Sequence, residues 1–141
     1  MANRALVGLF GTCNNSTWRE ELIKKLDPEV DYFNPVVDDW NEEAQKIEDE
    51  HKQNDSFILI TLTPLATGFY TIAEIMQLAY HSPERLIFCC LDKDAELEFN
   101  DPQKKSIKKI CKDIESLGVK HIYDNLDDVA DFINTYDRCL R

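Results

Sequence analysis

A continuous apolar run, Phe57 to Ile60, is the feature that most constrains the fold of this chain. Apolar side chains on both faces of a strand are typical of a parallel sheet that is covered on both sides. A polar turn containing Gly68 follows the run. Four apolar residues then recur at the spacing of one helix face, namely Ile72, Ile75, Met76 and Ala79. The stretch therefore predicts a strand, a loop and a helix whose first turn lies at the carboxyl edge of a sheet.

Four further apolar runs alternate with four further helix patterns. The predicted strands are Ala5 to Phe10, Val30 to Phe33, Arg85 to Leu91 and Val119 to Tyr123. The predicted helices are one capped at Thr17 that ends near Asp27, one from Glu42 to about Asn54, one from Lys104 to Leu117, and a closing one that contains Leu126 to Ile133. We expect the charged segment between Asp92 and Pro102 to be an exposed, mobile loop, because it has no periodicity.

This alternation of strands and helices decides the fold class. It predicts an α/β protein with a doubly wound, five-stranded parallel sheet and helices on both faces, a three-layer sandwich of the flavodoxin-like or Rossmann-like type. The chain has 141 residues, of which 43% are hydrophobic and only nine are Pro or Gly. We therefore expect one ordered domain over residues 1–141.

Charge and hydropathy exclude several classes of partner. The net charge of −11 argues against a protein that binds a nucleic acid polymer, since such binding depends on basic surfaces that neutralise phosphates. No apolar run approaches the length that spans a membrane, so no membrane partner is expected. The opening residues have the pattern of a first strand rather than a secretory signal, and we expect a cytoplasmic protein.

The five cysteines and three histidines do not predict a metal site. No pair of cysteines has the C-x-x-C spacing, and His51, His81 and His121 have no ligand spacing with the cysteines. Cys89 and Cys90 lie in an apolar run, where they are expected to be small core residues. Cys13 lies in a loop after the first strand, but no activating base can be assigned to it. We expect neither a metal nor a cofactor.

Glu74 has two interpretations. Its place at the start of a helix that follows a buried strand puts a carboxylate where open α/β folds bind ligands. Thr71 to Glu74 also reads T-x-x-E, the pattern of a capping box, in which both side chains bind free amides of the first turn. The same pattern occurs at Thr17 to Glu20. The local sequence leaves both interpretations open.

Two other loops are rich in polar groups. The loop G-T-C-N-N-S-T after the first strand (Gly11 to Thr17) carries hydroxyl and amide side chains into a helix start, which suits a polar ligand. The loop after the second strand, N-P-V-V-D-D-W (Asn34 to Trp40), combines two carboxylates with a tryptophan. Arg19 follows the first loop, where it suits either a phosphate or an ion pair with Glu42 or Glu43.

Together, Gly11 to Arg19, Tyr32 to Trp40 and T-I-A-E (Thr71 to Glu74) resemble the nucleoside 2-deoxyribosyltransferase-like family. The resemblance covers about the first 90 residues. In that family the glutamate opening the helix after the third strand attacks the anomeric carbon of a nucleoside and holds the sugar as a covalent ester. The resemblance thus implies that Glu74 is the nucleophile and that Asp39, with Asp38 as the second choice, is the acid near the leaving base.

The resemblance also implies where the substrate lies. The predicted contacts with a nucleoside or nucleotide substrate come from the three stretches and are Gly11, Thr12, Asn14, Trp18, Arg19, Asn34, Asp38, Trp40, Tyr70 and Thr71. The implied reaction transfers a (deoxy)ribosyl group between nucleobases through a glycosyl-glutamate intermediate. A homo-oligomer is expected, because family sites are commonly completed by a neighbouring subunit.

This chain departs from the family at two positions. Many members carry an aspartate six residues before the nucleophile, where this chain has Gly68, and Tyr70 replaces the glycine four before it. Two alternatives therefore accompany the transferase. One is an N-glycoside hydrolase acting on nucleosides or nucleoside monophosphates, in which water takes the sugar. The other is a non-catalytic nucleotide-binding domain, which the absence of an aspartate at position 68 favours.

Overall fold

The computed structural model describes residues 3–141. Along the chain the elements are β1 (Val7–Gly11), α1 (Trp18–Lys25), β2 (Tyr32–Phe33), α2 (Glu42–Asn54), β3 (Phe57–Leu62), α3 (Tyr70–His81), β4 (Leu86–Cys90), β5 (Lys93–Asp94), β6 (Leu97–Glu98), α4 (Asp101–Ser116), β7 (His121–Tyr123) and α5 (Leu126–Leu140). Five strands form one parallel sheet in the order β2–β1–β3–β4–β7. The predicted doubly wound α/β fold is confirmed.

The sheet is covered on both faces, as its apolar strands require. All six residues of β3 are buried, and they alternate between two cores. Leu59 packs on one side with Trp18 of α1 and Val129 of α5. Ile60 packs on the other side with Ile75 of α3 and Ile114 of α4. Within residues 3–141, no helix combines the length and the apolar character that crossing a bilayer requires.

The strand boundaries differ from the predicted ones at the ends. β1 begins two residues later than predicted and extends to Gly11, because Gly11 still pairs with Thr61 of β3. β2 contains only two residues, and β7 begins at His121 instead of Val119. β3 extends two residues beyond the apolar run, to Leu62. Register with a neighbouring strand therefore sets these ends, and the apolar runs alone do not.

The charged segment between Asp92 and Pro102 is mostly exposed, as predicted, but the prediction that it lacks regular structure is wrong. β5 and β6 form an antiparallel hairpin there, and Ala95 takes a positive φ of 54° at its turn. Phe99 is buried and belongs to the core beneath α4. α4 begins three residues earlier than predicted, at Asp101, because Asn100 and Gln103 form a reciprocal capping box.

The order of the strands creates a crevice between β1 and β3. The chain leaves β1 towards β2 on one side and leaves β3 towards β4 on the other. Ligands of open α/β folds bind at such a reversal, outside the carboxyl ends of the strands. The loops after β1 and β3 therefore mark the place where a site is expected. They begin close together, since the amide of Thr12, directly after β1, donates to the carbonyl of Thr61 in β3 at 2.9 Å.

We expect Gly11→Ala to destabilise the protein by about 3 kcal/mol or more, because a Cβ there meets the backbone and strains φ. Gly11 has a φ of +120°, and its Cβ would lie 2.1 Å from the carbonyl oxygen of Thr61. Gly68→Ala is the matched control, since no atom lies within 4 Å of its Cβ position. Urea unfolding followed by tryptophan fluorescence measures both. Equal stability of the two variants would contradict this account of β1 and β3.

Candidate active site

Arg19 organises the loop after β1. Its guanidinium donates to the carbonyls of Leu9 at 2.9 Å, Gly11 at 3.2 Å and Thr12 at 2.8 Å. The residue is buried with an exposed fraction of 3%, and burial lowers the pKa of its guanidinium, which stays charged because arginine does not lose its proton in proteins. Arg19 thus binds main-chain oxygens, and the structure shows no ion pair with Glu42 or Glu43.

Three predicted substrate contacts hold the loops together instead of lining a cavity. Trp18 is a core residue whose Nε1 donates to the carbonyl of Thr12 at 2.8 Å. The buried hydroxyl of Thr12 accepts the amide of Thr63 at 3.0 Å. Asn14 donates to the carbonyl of Leu65 at 2.9 Å. The bonds of Thr12 and Asn14 join the loop after β1 to the loop after β3, and the bond of Trp18 holds the loop after β1 against α1.

Glu74 of α3 forms an ion pair with Lys52 of α2. Its Oε2 lies 2.6 Å from Nζ of Lys52, which also lies 3.3 Å from Oε1 of Glu48. The three side chains are 13%, 23% and 25% exposed, respectively. Burial acts to lower the pKa of Lys52, but the hydrogen bond and charge of Glu74, with help from Glu48, raise it above its ordinary value. Lys52 therefore stays charged between two carboxylates.

The capping box that the sequence offers for Glu74 does not form, so that interpretation is wrong. α3 begins at Tyr70, which places Thr71 inside the helix, and its N-cap residue is Phe69, whose side chain makes no capping bond. Thr17 is the N-cap residue of α1, as predicted, but its side chain makes no capping bond either. The carboxylate of Glu74 is therefore directed across to α2.

A cavity of about 390 Å³ lies beside Glu74 at the carboxyl edge of the sheet. Its polar groups are Cys13, Arg19, Glu48 and Glu74. Its apolar wall consists of Phe10, Pro35, Val36, Val37 and Trp40, with Gly11 at the edge of the sheet. We call this space the Glu74 cavity. Its volume is within the range of small-molecule sites, about 300–1,000 Å³.

A second cavity, of about 570 Å³, lies on the other side of Glu74. Lys52, Tyr70, His81 and Arg85 line it. Arg85 is engaged there with main-chain oxygens, since it donates to the carbonyls of Asp55 and Lys52. Glu74 therefore lines both cavities, and Lys52 of α2 contacts its carboxylate.

The structure brings only part of the predicted site together. Gly11, Arg19, Trp40 and Glu74 line the Glu74 cavity. Tyr70 lines the second cavity, whereas Thr71 lines neither.

The remaining predicted residues lie outside both cavities. Asp38 and Asp39 are exposed, and neither lines either space. Asn34 accepts the amide of Val36 at 3.1 Å within its own loop. Gly68, where the resembling family carries an aspartate, lines an apolar groove beside α4 and not the Glu74 cavity. In the described part of the chain, no three side chains of His, Cys, Asp or Glu converge as metal ligands.

Two charged residues of the site, Glu48 and Lys52, are not among the residues predicted from the sequence. Both belong to the inward face of α2, which also contains Ala44, Ile47 and His51 at the i, i+3, i+4 spacing. Charged residues at i and i+4 on an inward stripe are a usable signal, because long charged side chains are seldom enclosed without partners. That signal was present in the sequence.

No protein-family model matches the chain, and none of the curated proteins matches it either. What the chain does must therefore be inferred from the side chains that surround the Glu74 cavity.

A double-mutant cycle tests the enclosed ion pair. We expect Lys52→Met to destabilise the protein more than Glu74→Gln does, because it leaves two carboxylates facing each other without a cation. The double variant should lose less than the sum of the two, with a coupling of about 0.5–3 kcal/mol in urea unfolding.

The pair of Lys109 and Asp113 is the matched control for this cycle. It has a similar length, 2.7 Å, but its side chains are 73% and 45% exposed, so its coupling should be about 0.5 kcal/mol or less. Equal couplings for the two pairs would show that enclosure adds nothing to the contact of Lys52 with Glu74.

Proposed function

We propose that this chain transfers a (deoxy)ribosyl group between nucleobases through a covalent ester on Glu74. The observation that carries the proposal is the placement of the Glu74 carboxylate in a cavity of nucleoside size at the reversal between β1 and β3. The contact of Glu74 with Lys52 at 2.6 Å supports the same role, because it holds the carboxylate in one position beside the cavity.

The walls of the Glu74 cavity suit the two halves of a nucleoside. Phe10, Val36, Val37 and Trp40 give an apolar and aromatic surface on which a flat base can pack. The carboxylates of Glu48 and Glu74 lie where the sugar would meet them. Because the transition state of N-glycoside cleavage carries positive charge on the sugar, two nearby carboxylates stabilise it.

The reaction then follows from the residue types. An oxygen of Glu74 forms a bond to C1′ of the sugar while the bond from C1′ to the base nitrogen breaks, and the electron pair leaves with the base. A second base attacks C1′ in turn, and the electron pair of the ester bond returns to Glu74. The departing base takes up a proton, which Asp39 was predicted to supply, but Asp39 is exposed outside the cavity.

A hydrolase is the second candidate, and one observation favours it. The rim of the Glu74 cavity is open, since Val36, Val37 and Trp40 are 55%, 48% and 59% exposed. Water therefore has access to an ester on Glu74. The covalent step is the same in both reactions, and only the acceptor differs.

Glu74→Gln tests the nucleophile. We expect it to remain folded and to lose base release by a factor on the order of 10³ or more across a panel of nucleosides and their monophosphates, because an amide is a poor nucleophile. Chromatography of the released base measures the loss. Glu84→Gln is the control, since Glu84 is exposed and lines neither cavity.

Covalent trapping locates the same residue independently. A 2-fluoroarabinosyl nucleoside should leave a sugar-sized adduct on the peptide that contains Glu74, detected by mass spectrometry. An adduct elsewhere, or full turnover by Glu74→Gln, would overturn the assignment. Nucleoside binding without turnover or adduct would favour the non-catalytic domain instead.

A second free base separates the transferase from the hydrolase. Given one nucleoside and an excess of a different base, a transferase yields the new nucleoside, which liquid chromatography resolves from the starting one. We expect exchange to exceed the formation of free sugar. Free sugar as the sole product, at a rate that the added base leaves unchanged, would identify the hydrolase.

A further inference from the structure

We propose that Glu48 is the acid and base of the reaction, donating a proton to the leaving base and taking one from the acceptor. The inference rests on the proposed function, because it concerns the same sugar transfer. The observation behind it is that Glu48 and Glu74 line one cavity and contact one ammonium, that of Lys52, whereas Asp38 and Asp39 line no part of that cavity.

The contacts of Lys52 set an upper limit on the distance between one oxygen of Glu48 and one of Glu74. Nζ of Lys52 lies 3.3 Å from an oxygen of Glu48 and 2.6 Å from an oxygen of Glu74, so these two oxygens are at most 5.9 Å apart, the sum of the two distances. Carboxylate pairs that work through a covalent glycosyl ester are about 5–5.5 Å apart, and pairs that activate water for direct displacement are about 6.5–9.5 Å apart. The upper limit for these two oxygens is therefore below the longer range, which is what the proposed covalent route requires.

One lysine for two carboxylates suits a pair that shares one proton. Lys52 lies nearer to Glu74 and compensates its charge more closely than that of Glu48. With a proton on Glu48 and a charge on Glu74, the three groups are neutral together. The first step of the proposed reaction requires a charged nucleophile and a protonated acid, and this arrangement around Lys52 carries no net charge.

The charges remain balanced through the reaction. As an oxygen of Glu74 bonds to C1′ and the bond from C1′ to the base breaks, the base nitrogen keeps the electron pair and takes the proton of Glu48. Glu74 is then a neutral ester, and Lys52 becomes the counter-ion of the Glu48 carboxylate. The acceptor next gives its proton to Glu48 as it attacks C1′, and the ester electron pair returns to Glu74.

The other proton-bearing groups nearby fit this role less well. Arg19 does not release its proton in proteins, and its guanidinium is bound to three carbonyls. Cys13 is exposed at the rim, where its thiol contacts the carbonyl of Gly11 at 3.7 Å. Lys52 lines the second cavity and not the one that Glu48 and Glu74 share.

The test compares Glu48→Gln with Asp39→Asn and with Glu43→Gln, an exposed residue of the same helix. Two substrates are used, a purine nucleoside, whose base must be protonated, and a p-nitrophenyl riboside, whose leaving group needs little protonation. Initial rates are measured from pH 5 to 9, and circular dichroism checks the fold of each variant. Glu48→Ala with sodium azide is the rescue arm, because azide attacks without giving up a proton.

We expect Glu48→Gln to lower purine release on the order of 10²–10⁴-fold and to remove one limb of the pH profile, while the first burst of nitrophenolate is retained. Azide should accelerate Glu48→Ala and give a glycosyl azide with retained configuration, whereas Asp39→Asn and Glu43→Gln should match the unmodified protein.

Three outcomes would overturn the assignment. If Glu48→Gln matches Glu43→Gln while Glu74→Gln is inactive, Glu48 is not the acid and the nucleophile stands. If Glu48→Gln loses both substrates equally, with an unchanged pH profile and no azide effect, Glu48 only positions Lys52. If the unmodified protein cleaves neither substrate, the proposed function fails with it.

Discussion

The parallel pairing of β1 with β3 determines where the crevice of the candidate site lies. Gly11 pairs with Thr61 so closely that no side chain fits between the strands, and the loops that follow them begin at the same edge. The guanidinium of Arg19 then donates to the carbonyls of Leu9, Gly11 and Thr12, which keeps the loop after β1 against its own strand. The backbones of β1 and β3 therefore form the crevice, and the side chains of the candidate site line it.

Lys52 is the second constraint, because its positive charge stabilises the partly enclosed carboxylates of Glu48 and Glu74. Removing charges from water is unfavourable, and a pair of like charges adds repulsion unless a cation lies between them. The ammonium of Lys52 lies within 3.3 Å of both carboxylates, and the Lys52 side chain is only 23% exposed. α2 thus supplies the cation and one carboxylate, whereas α3 supplies the other, and the site depends on the packing of these two helices.

The fold could be predicted from the sequence, because an apolar run such as Phe57 to Ile60 indicates a strand that is buried on both faces of a sheet. The prediction failed where short polar strands pair locally, as at β5 and β6, since two-residue strands have no measurable periodicity. The sequence also left a capping box open for Glu74, a local pattern, whereas the partner of Glu74 is Lys52, 22 positions earlier in the chain. Contacts between separate helices are only weakly indicated by the sequence. Here the indication is the charged residues Glu48 and Lys52 on the inward face of α2.

The positions of the acidic residues separate two kinds of role in the proposed site. Glu48 and Glu74 come from regular helices, whose backbones hold side chains at fixed separations, and bond making requires such separations. Asp38 and Asp39 come from an exposed loop, as does Trp40, which reaches the rim of the cavity. Position 68, where the resembling family carries an aspartate, is a glycine that does not line this cavity. The second carboxylate of the cavity is that of Glu48 on α2. In the proposed reaction, Trp40 at the rim suits contact with the base, which differs between substrates, while Glu48 and Glu74 are the groups proposed to act on the sugar, which all substrates share.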